Sequence, residues 1–257
     1  QWPHRRFPDR RTPVPTLYMA LRRGVVGPLV NLLLRPQVHG LEHVPSTGPA
    51  ILASNHLSFL DPVLLPVAVP RPVSFLAKAE YFTAPGPLGR AMAAFFRAIH
   101  QIPLDRSGGQ RSAGALEAAR AVLAEGQLLG IYPEGTRSPD GRLHRPKLGV
   151  ARLALETGVP VLPVAMIGTQ RLQPPGARLP RLPRPLLRPA PEQRPRTVIG
   201  APLDLSAWTG PDAGAHAARG AAQQIIAAIR ELSGQDYVDE YAPRRGGHGR
   251  TRRPPVS

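Results

Sequence analysis

Short apolar runs alternate with helix-forming segments along most of this chain, and that alternation limits the fold more than any other feature. The runs are typical of buried strands because each ends at a polar, glycine or proline turn. They lie at 49–53, 73–77, 99–104, 128–132, 159–167 and 197–200. Helices are predicted at 63–69, 88–98, 112–125, 150–157 and 216–232. The pattern predicts an α/β fold: one domain with a mixed, largely parallel sheet flanked by helices.

The chain divides by composition into three parts. Residues 1–37 combine a basic arm with an apolar 3–4 spacing over 16–35, which predicts an amphipathic helical segment. This segment is either an ordinary helix packed on the domain or an interfacial membrane anchor. The folded domain is predicted to cover 38–232, with an insertion at 171–196 that holds seven arginines and eight prolines. Residues 233–257 are predicted to be a basic flexible tail.

The charge of the chain favours an anionic partner. The formal net charge is +16, and all the basic residues except Lys78 and Lys147 are arginines. An excess of this size suits nucleic acid, acidic lipid or a phosphorylated substrate. No basic helix with interleaved aromatic residues occurs, so no nucleic-acid partner is expected. The chain has no cysteine, which excludes disulfides and thiolate chemistry.

A histidine and a carboxylate flank the first strand-to-helix junction, in the stretch from Asn55 to Asp61. His56 and Asp61 would diverge by about 140° on a regular helix, so they meet only if the chain bends between them. Asp61 would then orient the imidazole and leave its other nitrogen as a base. The alternative is that Asp61 only caps the following helix, with Pro62 at its first position, and His56 is a turn residue.

Two further strand ends carry groups suited to an anion. Asp105 and Arg106 follow one strand, and the run Glu134-Gly135-Thr136-Arg137 follows another. A tight glycine turn can point its amides at an anion, and a guanidinium suits phosphate or carboxylate. The alternatives are solvated arginines and a weak local ion pair between Glu134 and Arg137.

In chain order these segments resemble the four-block pattern of the glycerolipid acyltransferase family. The blocks are NHLSFLD, IPLDR, YPEGTRS and VPVLPV, beginning at residues 55, 102, 132 and 159. The likeness is greatest to the bacterial 1-acyl-sn-glycerol-3-phosphate acyltransferases, the PlsC-like enzymes, and covers residues 38–205. It implies that His56 is the general base and that Asp61 orients it. Direct transfer without an acyl-enzyme fits a chain with no cysteine and no G-x-S-x-G motif.

The resemblance also implies a set of residues that hold the phosphate of the acceptor. These substrate-binding residues are Arg106, Glu134, Gly135, Thr136, Arg137 and Lys78. It implies no metal and no cofactor, since acyl-CoA or acyl-carrier protein enters as a co-substrate.

The implied reaction moves a fatty acyl group to the free glycerol hydroxyl of 1-acyl-sn-glycerol-3-phosphate and gives phosphatidic acid. The expected partners are this lysophosphatidate-type acceptor, an acyl thioester donor, acyl-carrier protein and an anionic membrane surface. The expected location is the cytoplasmic face of the cell membrane, as a peripheral or monotopic protein. Two alternatives stay open: another lyso-lipid or glycolipid acceptor, and a non-catalytic protein that binds anionic lipid or nucleic acid.

Overall fold

A computed structural model describes most of the predicted domain. The described residues are 20, 22–78, 80–87, 89–90, 93–94, 101–104, 111–173, 190–210 and 214–243. Several predicted features lie outside them. These are the basic arm, most of the helix at 88–98, Arg106, most of the insertion at 171–196 and the tail beyond residue 243.

A seven-stranded sheet forms the centre of the domain, in the order β1-β8-β7-β2-β5-β3-β4. Strand β8 runs antiparallel to β7, and the other neighbouring pairs are parallel. The strands are β1 Gln37–His39, β2 Ala50–Ser54, β3 Val73–Lys78, β4 Gln101–Leu104, β5 Leu128–Ile131, β7 Val161–Ile167 and β8 Arg196–Ile199. The predicted largely parallel α/β sheet is confirmed.

Five helices of eight or more residues are described. They are α1 Gly27–Leu34, α2 Asp61–Ala68, α3 Arg111–Ala124, α4 Gly149–Thr157 and α5 Ala215–Ser233. Glycines in the left-handed conformation, Gly158 and Gly234, end α4 and α5 because only glycine adopts it without strain. Shorter helical segments are Arg22–Val26, Leu41–His43, Glu80–Thr83, Thr169–Leu172, Pro191–Gln193 and Ser206–Trp208.

The sheet separates two hydrophobic cores because alternate residues of each strand face opposite sides. Ile51 and Ala53 of β2 pack with α3, α4 and α5, whereas Ala50 and Leu52 pack with α2 and with Leu34 of α1. Every residue of β2 is buried. A central strand covered on both faces is the typical environment of a parallel sheet, and it holds the start of the loop at Asn55 rigidly.

Helix α1 packs one side on the domain and leaves the other side open. Leu34 is buried in the core beneath the sheet, and Arg22 donates to the carbonyls of Val67 and Pro70 near the end of α2. Val25, Leu29 and Leu32 are exposed. Within the described residues, no helix has the length and apolar character needed to cross a membrane.

The segment after α5 differs from the flexible tail that the sequence predicts from residue 233. Strand β9, Tyr237–Val238, pairs in parallel with β6, Leu143–His144, in a second small sheet. Gln235 accepts a hydrogen bond from the Asn55 amide and donates one to the Gly141 carbonyl. The first residues of the predicted tail are therefore part of the domain. A two-residue strand has too little periodicity to be seen in the sequence.

Gly130 of β5 makes room for an aromatic ring on the neighbouring strand. Phe75 of β3 is its register partner, and a Cβ added to Gly130 would lie 2.3–2.7 Å from three atoms of the Phe75 ring. The ring therefore lies directly on the glycine. This close approach orients Phe75 toward the carboxyl end of the sheet.

We predict that Gly130→Ala destabilises the domain by about 1–3 kcal/mol, because the added methyl must displace a buried ring. The measurement is urea unfolding, and Gly210→Ala controls for the loss of a loop glycine, since Gly210 has open space around it and no left-handed φ. An unchanged urea midpoint for Gly130→Ala would show that Phe75 does not depend on this contact.

Candidate active site

The loop between β2 and α2 brings His56 and Asp61 into contact. The Nδ1 atom of His56 lies 2.9 Å from Oδ2 of Asp61. The same carboxylate oxygen accepts the backbone N–H groups of Leu57 and Ser58, each at 2.7 Å. An oxygen that already accepts two backbone N–H groups is not the one that carries a proton. Nδ1 of His56 must therefore be the donor, which leaves Nε2 as the basic nitrogen of the neutral ring.

Asp61 performs this role in place of capping a helix. It is the first residue of α2, and the preceding Leu60 makes no side-chain cap. The carboxylate turns back toward the amides of Leu57 and Ser58. The Asp61 side chain is fully buried, while 18% of the His56 side chain is exposed. A buried carboxylate that carries three hydrogen bonds thus presents an imidazole to solvent.

The imidazole ring of His56 stacks on an aromatic ring of the loop after β5. The rings of His56 and Tyr132 are parallel within 11°, with centroids 4.0 Å apart. Tyr132 stacks in turn on Phe75, with centroids 5.5 Å apart. Burial raises the pKa of the Tyr132 hydroxyl well above its ordinary value, and the charge of Asp61 raises it further. Tyr132 is therefore a neutral ring that restricts the rotation of His56.

The loop after β5 is joined to His56 through the backbone. The N–H of Ser138 donates to the His56 carbonyl at 2.8 Å. Glu134 lies in the interior, where its Oε1 accepts the backbone N–H of His144 at 2.8 Å. Burial raises the pKa of the Glu134 carboxyl to about 7, although its hydrogen bond to His144 acts in the opposite direction. The buried Glu134 side chain therefore stabilises the loop after β5 through its hydrogen bond with the His144 backbone.

Gly135, Thr136 and Arg137 form the outer part of the same loop. Gly135 has φ of +69° and is exposed, and its N–H donates to the Tyr132 carbonyl in a tight turn. Thr136 and Arg137 are partly exposed. Arg137 contacts the side-chain oxygen of Gln173 at 3.5 Å. A glycine turn and a guanidinium thus lie beside the histidine.

The comparisons with known proteins agree with this arrangement. The family model described as Acyltransferase matches residues 35–167, which is more than half of the chain. The chain belongs to the acyltransferase family.

Within the acyltransferase family, the chain is similar to several 1-acyl-sn-glycerol-3-phosphate acyltransferases. The chain is 34% identical to 1-acyl-sn-glycerol-3-phosphate acyltransferase BAT2, chloroplastic, of Brassica napus, over 56% of this chain and 40% of that protein. It is 32% identical to 1-acyl-sn-glycerol-3-phosphate acyltransferase alpha of Mus musculus, over 53% of this chain and 47% of that protein. The chain thus matches less than half the length of these two curated relatives.

A solved structure supports the same fold. The crystal structure of the 1-acyl-sn-glycerophosphate (LPA) acyltransferase, PlsC, from Thermotoga maritima has a TM-score of 0.58 and 25% identity. The match covers 84% of this chain and 79% of that one. The PlsC-like resemblance and the predicted fold class are confirmed.

The remaining candidate residues of this acyltransferase come at or after the ends of two parallel strands. Strands β7, β2, β5, β3 and β4 are parallel, so their carboxyl ends meet at one edge of the sheet. Lys78 is the last residue of β3, beside Leu104 at the end of β4. Arg106 follows β4 by two residues and lies outside the described part of the chain. Among the described residues, no group of three histidine or acidic side chains is placed to hold a metal ion.

Two buried amide side chains that the sequence analysis missed hold the loops together. Oε1 of Gln173 accepts the Phe59 N–H at 3.0 Å and lies 3.5 Å from Arg137, so it joins the two site loops. Asn55 binds both the N–H and the carbonyl of Met166 in β7. Asn55 could have been found, because an asparagine directly after a buried strand needs partners. Gln173 carries no such signal, since its partners are 36 and 114 residues away.

The raised pKa of Glu134 predicts how stability depends on pH. The folded pKa of about 7 exceeds the unfolded value of 4.5, so the folded state binds the extra proton between these pH values. Stability is therefore lost as the pH rises from about 4.5 to 7, by at most about 3 kcal/mol.

We predict that Glu134→Gln, which keeps the acceptor oxygen and removes the charge, is more stable than the wild type at pH 8. This advantage should vanish near pH 4.5. Thermal unfolding at both pH values tests this, with Glu117→Gln on the surface of α3 as control. Equal unfolding temperatures for wild type and Glu134→Gln at pH 8 would contradict the buried-carboxyl assignment.

Proposed function

We propose that this acyltransferase moves a fatty acyl group from acyl-CoA or acyl-carrier protein to the free hydroxyl of 1-acyl-sn-glycerol-3-phosphate, giving phosphatidic acid. The observation that carries the proposal is the contact of His56 Nδ1 with a buried, triply bonded Asp61 carboxylate. The acceptor follows from the names of the relatives, each of which is a 1-acyl-sn-glycerol-3-phosphate acyltransferase.

The proposed mechanism uses His56 first as a base and then as an acid. Nε2 takes the proton of the acceptor hydroxyl as its oxygen attacks the thioester carbonyl carbon. Asp61 stabilises the imidazolium through Nδ1. The C–S bond then breaks, the thiolate leaves, and Nε2 returns the proton to the sulfur. Direct transfer without an acyl-enzyme fits a chain that has no cysteine.

The phosphate of the acceptor would bind beside His56, at the loop after β5. The loop offers the backbone N–H of Thr136, which follows the exposed Gly135 turn, and the guanidinium of Arg137. Lys78 and Arg106, at the ends of β3 and β4, would add positive charge at the same edge. Glu134 would act indirectly, because its buried side chain shapes this loop from within.

We predict that His56→Ala lowers kcat by about 10²–10⁴-fold, because the base is lost while the phosphate site remains. Tyr132→Phe is the matched control, since it keeps the ring that stacks on His56. It should keep kcat within about threefold, because the buried hydroxyl has no hydrogen-bond partner among the described residues.

The assay follows phosphatidic acid by mass spectrometry, from lysophosphatidate and a panel of acyl thioesters. Near-wild-type turnover by His56→Ala would contradict the mechanism. A parallel panel with a lyso-ornithine lipid and a glycolipid tests the acceptor, and faster transfer to either would replace lysophosphatidate in the proposal.

The exposed side of α1 and of the preceding helical segment Arg22–Val26 supports a position on an anionic membrane, which we propose to be the cytoplasmic face of the cell membrane. Val25, Leu29 and Leu32 lie at helical spacing and are 52–57% exposed. The exposed residues Arg23 and Arg35 flank them. Apolar side chains beside arginines suit the boundary between acyl chains and anionic headgroups. The helix packs on the domain and also keeps this apolar surface exposed. The proposal therefore combines the two alternatives from the sequence, a packed helix and an interfacial membrane anchor.

We predict that Leu29→Glu lowers binding to vesicles of phosphatidylcholine and phosphatidylglycerol by roughly tenfold or more, because a charge enters the apolar surface. Ala227→Glu, on the exposed side of α5, is the control. Vesicle sedimentation measures the binding. Equal binding by Leu29→Glu and wild type would show that α1 does not contact the membrane.

A further inference from the structure

A lysine that the sequence analysis left without a role lies on the glycine turn of the site. If Gly135 carried a Cβ, that atom would lie 2.6 Å from the Nζ of Lys147 and 2.9–3.0 Å from its Cδ and Cε atoms. The lysine stem therefore lies flat against the face of Gly135. Its ammonium is within van der Waals distance of the turn that precedes Thr136 and Arg137.

The backbone binds Lys147 to the same loop. Its N–H donates to the Pro133 carbonyl at 2.9 Å, two residues before Gly135. Ser138, three residues after Gly135, donates to the His56 carbonyl. A single loop thus joins the lysine to the histidine through backbone hydrogen bonds. The backbone of Lys147 is consequently fixed beside the loop that carries Gly135.

The rarity of lysine in this chain draws attention to Lys147. The chain contains 33 lysines and arginines, and only Lys78 and Lys147 are lysines. Lys78 ends β3 at the carboxyl edge of the sheet, and Lys147 lies on the loop that follows β5 at that edge. In a chain that otherwise uses arginine, one of the two lysines contacts the glycine turn of the site.

We propose that Lys147 binds the phosphomonoester of the acceptor beside the Gly135 turn, together with Arg137. The inference rests on the proposed function and extends it to a residue outside the four sequence blocks. Turn amides, an ammonium and a guanidinium form the donor set that a phosphate dianion requires. The acidic side chains of this loop bind other groups: Glu134 is buried and accepts the His144 N–H, and Asp140 binds Arg142 and His144.

The same donor groups would also suit the phosphates of acyl-CoA. The test therefore distinguishes binding of the acceptor phosphate from binding of the acyl-CoA phosphates. Steady-state kinetics are measured with lysophosphatidate and with monoacylglycerol as acceptors, and with acyl-CoA and acyl-pantetheine as donors. The variant is Lys147→Met, which keeps the stem that covers Gly135 and removes the charge. Arg219→Met, on the exposed side of α5, removes one positive charge elsewhere.

Lys147→Met should raise the KM for lysophosphatidate about tenfold or more, with kcat within about twofold, because the lost contact is equally present in the ground and transition states. The KM for acyl-CoA and the turnover of monoacylglycerol should stay at wild-type values, and Arg219→Met should match the wild type throughout. Lys147→Arg should recover only part of the affinity.

An unchanged KM for lysophosphatidate would overturn the inference. A rise in the KM for acyl-CoA that is absent with acyl-pantetheine would assign Lys147 to the donor and also overturn it. If Lys147→Met does not fold, Lys147→Gln replaces it in the same assays.

A binding measurement separates failure of this inference from failure of the proposed function. Glycerol 3-phosphate should raise the unfolding temperature of the wild type and of Arg219→Met, and have little effect on Lys147→Met. This readout needs no acyl transfer. A wild type that transfers no acyl group would contradict the proposed function alone, whereas equal stabilisation of Lys147→Met would contradict the role of Lys147.

Discussion

The buried carboxylate of Asp61 is the interaction on which the site depends. A charge removed from water must be compensated, and three N–H donors converge on one oxygen of this fully buried side chain. Two of the donors are backbone amides that precede Asp61, so the loop must bend back over the start of α2. The third donor is the imidazole of His56. Compensation of one charge therefore sets both the path of the loop and the tautomer of the histidine.

The rest of the fold keeps this loop in place. The strand before it is buried on both faces, and Asn55 binds both backbone groups of Met166 on the neighbouring strand. On the other side, Tyr132 and Phe75 continue the ring stack from His56 to a glycine on β5. The loops after β2 and β5, together with Phe75 of β3, thus hold a single imidazole. Such preorganisation suits a reaction in which a proton moves at a defined atom.

The sequence predicted the elements that repeat and the residues that lie at their ends. Each long strand was located within two residues, and the His56–Asp61 contact was anticipated as one of two readings. What it missed depends on contacts distant in the chain. Strand β9 is two residues long and pairs with a segment before α4, so no local periodicity marks it. Burial of Glu134 depends on the His144 backbone, and Gln173 joins two loops, neither of which a linear pattern shows.

The measurement that tests the account most directly is the tautomer of His56, read from the ¹⁵N chemical shifts of its two ring nitrogens in protein labelled at histidine. The account predicts a neutral ring with the proton on Nδ1 and an unprotonated Nε2. It also predicts that Asp61→Asn weakens this preference, because an amide no longer offers a carboxylate acceptor. A neutral His56 with its proton on Nε2 would contradict the claim that Asp61 prepares the ring as a base.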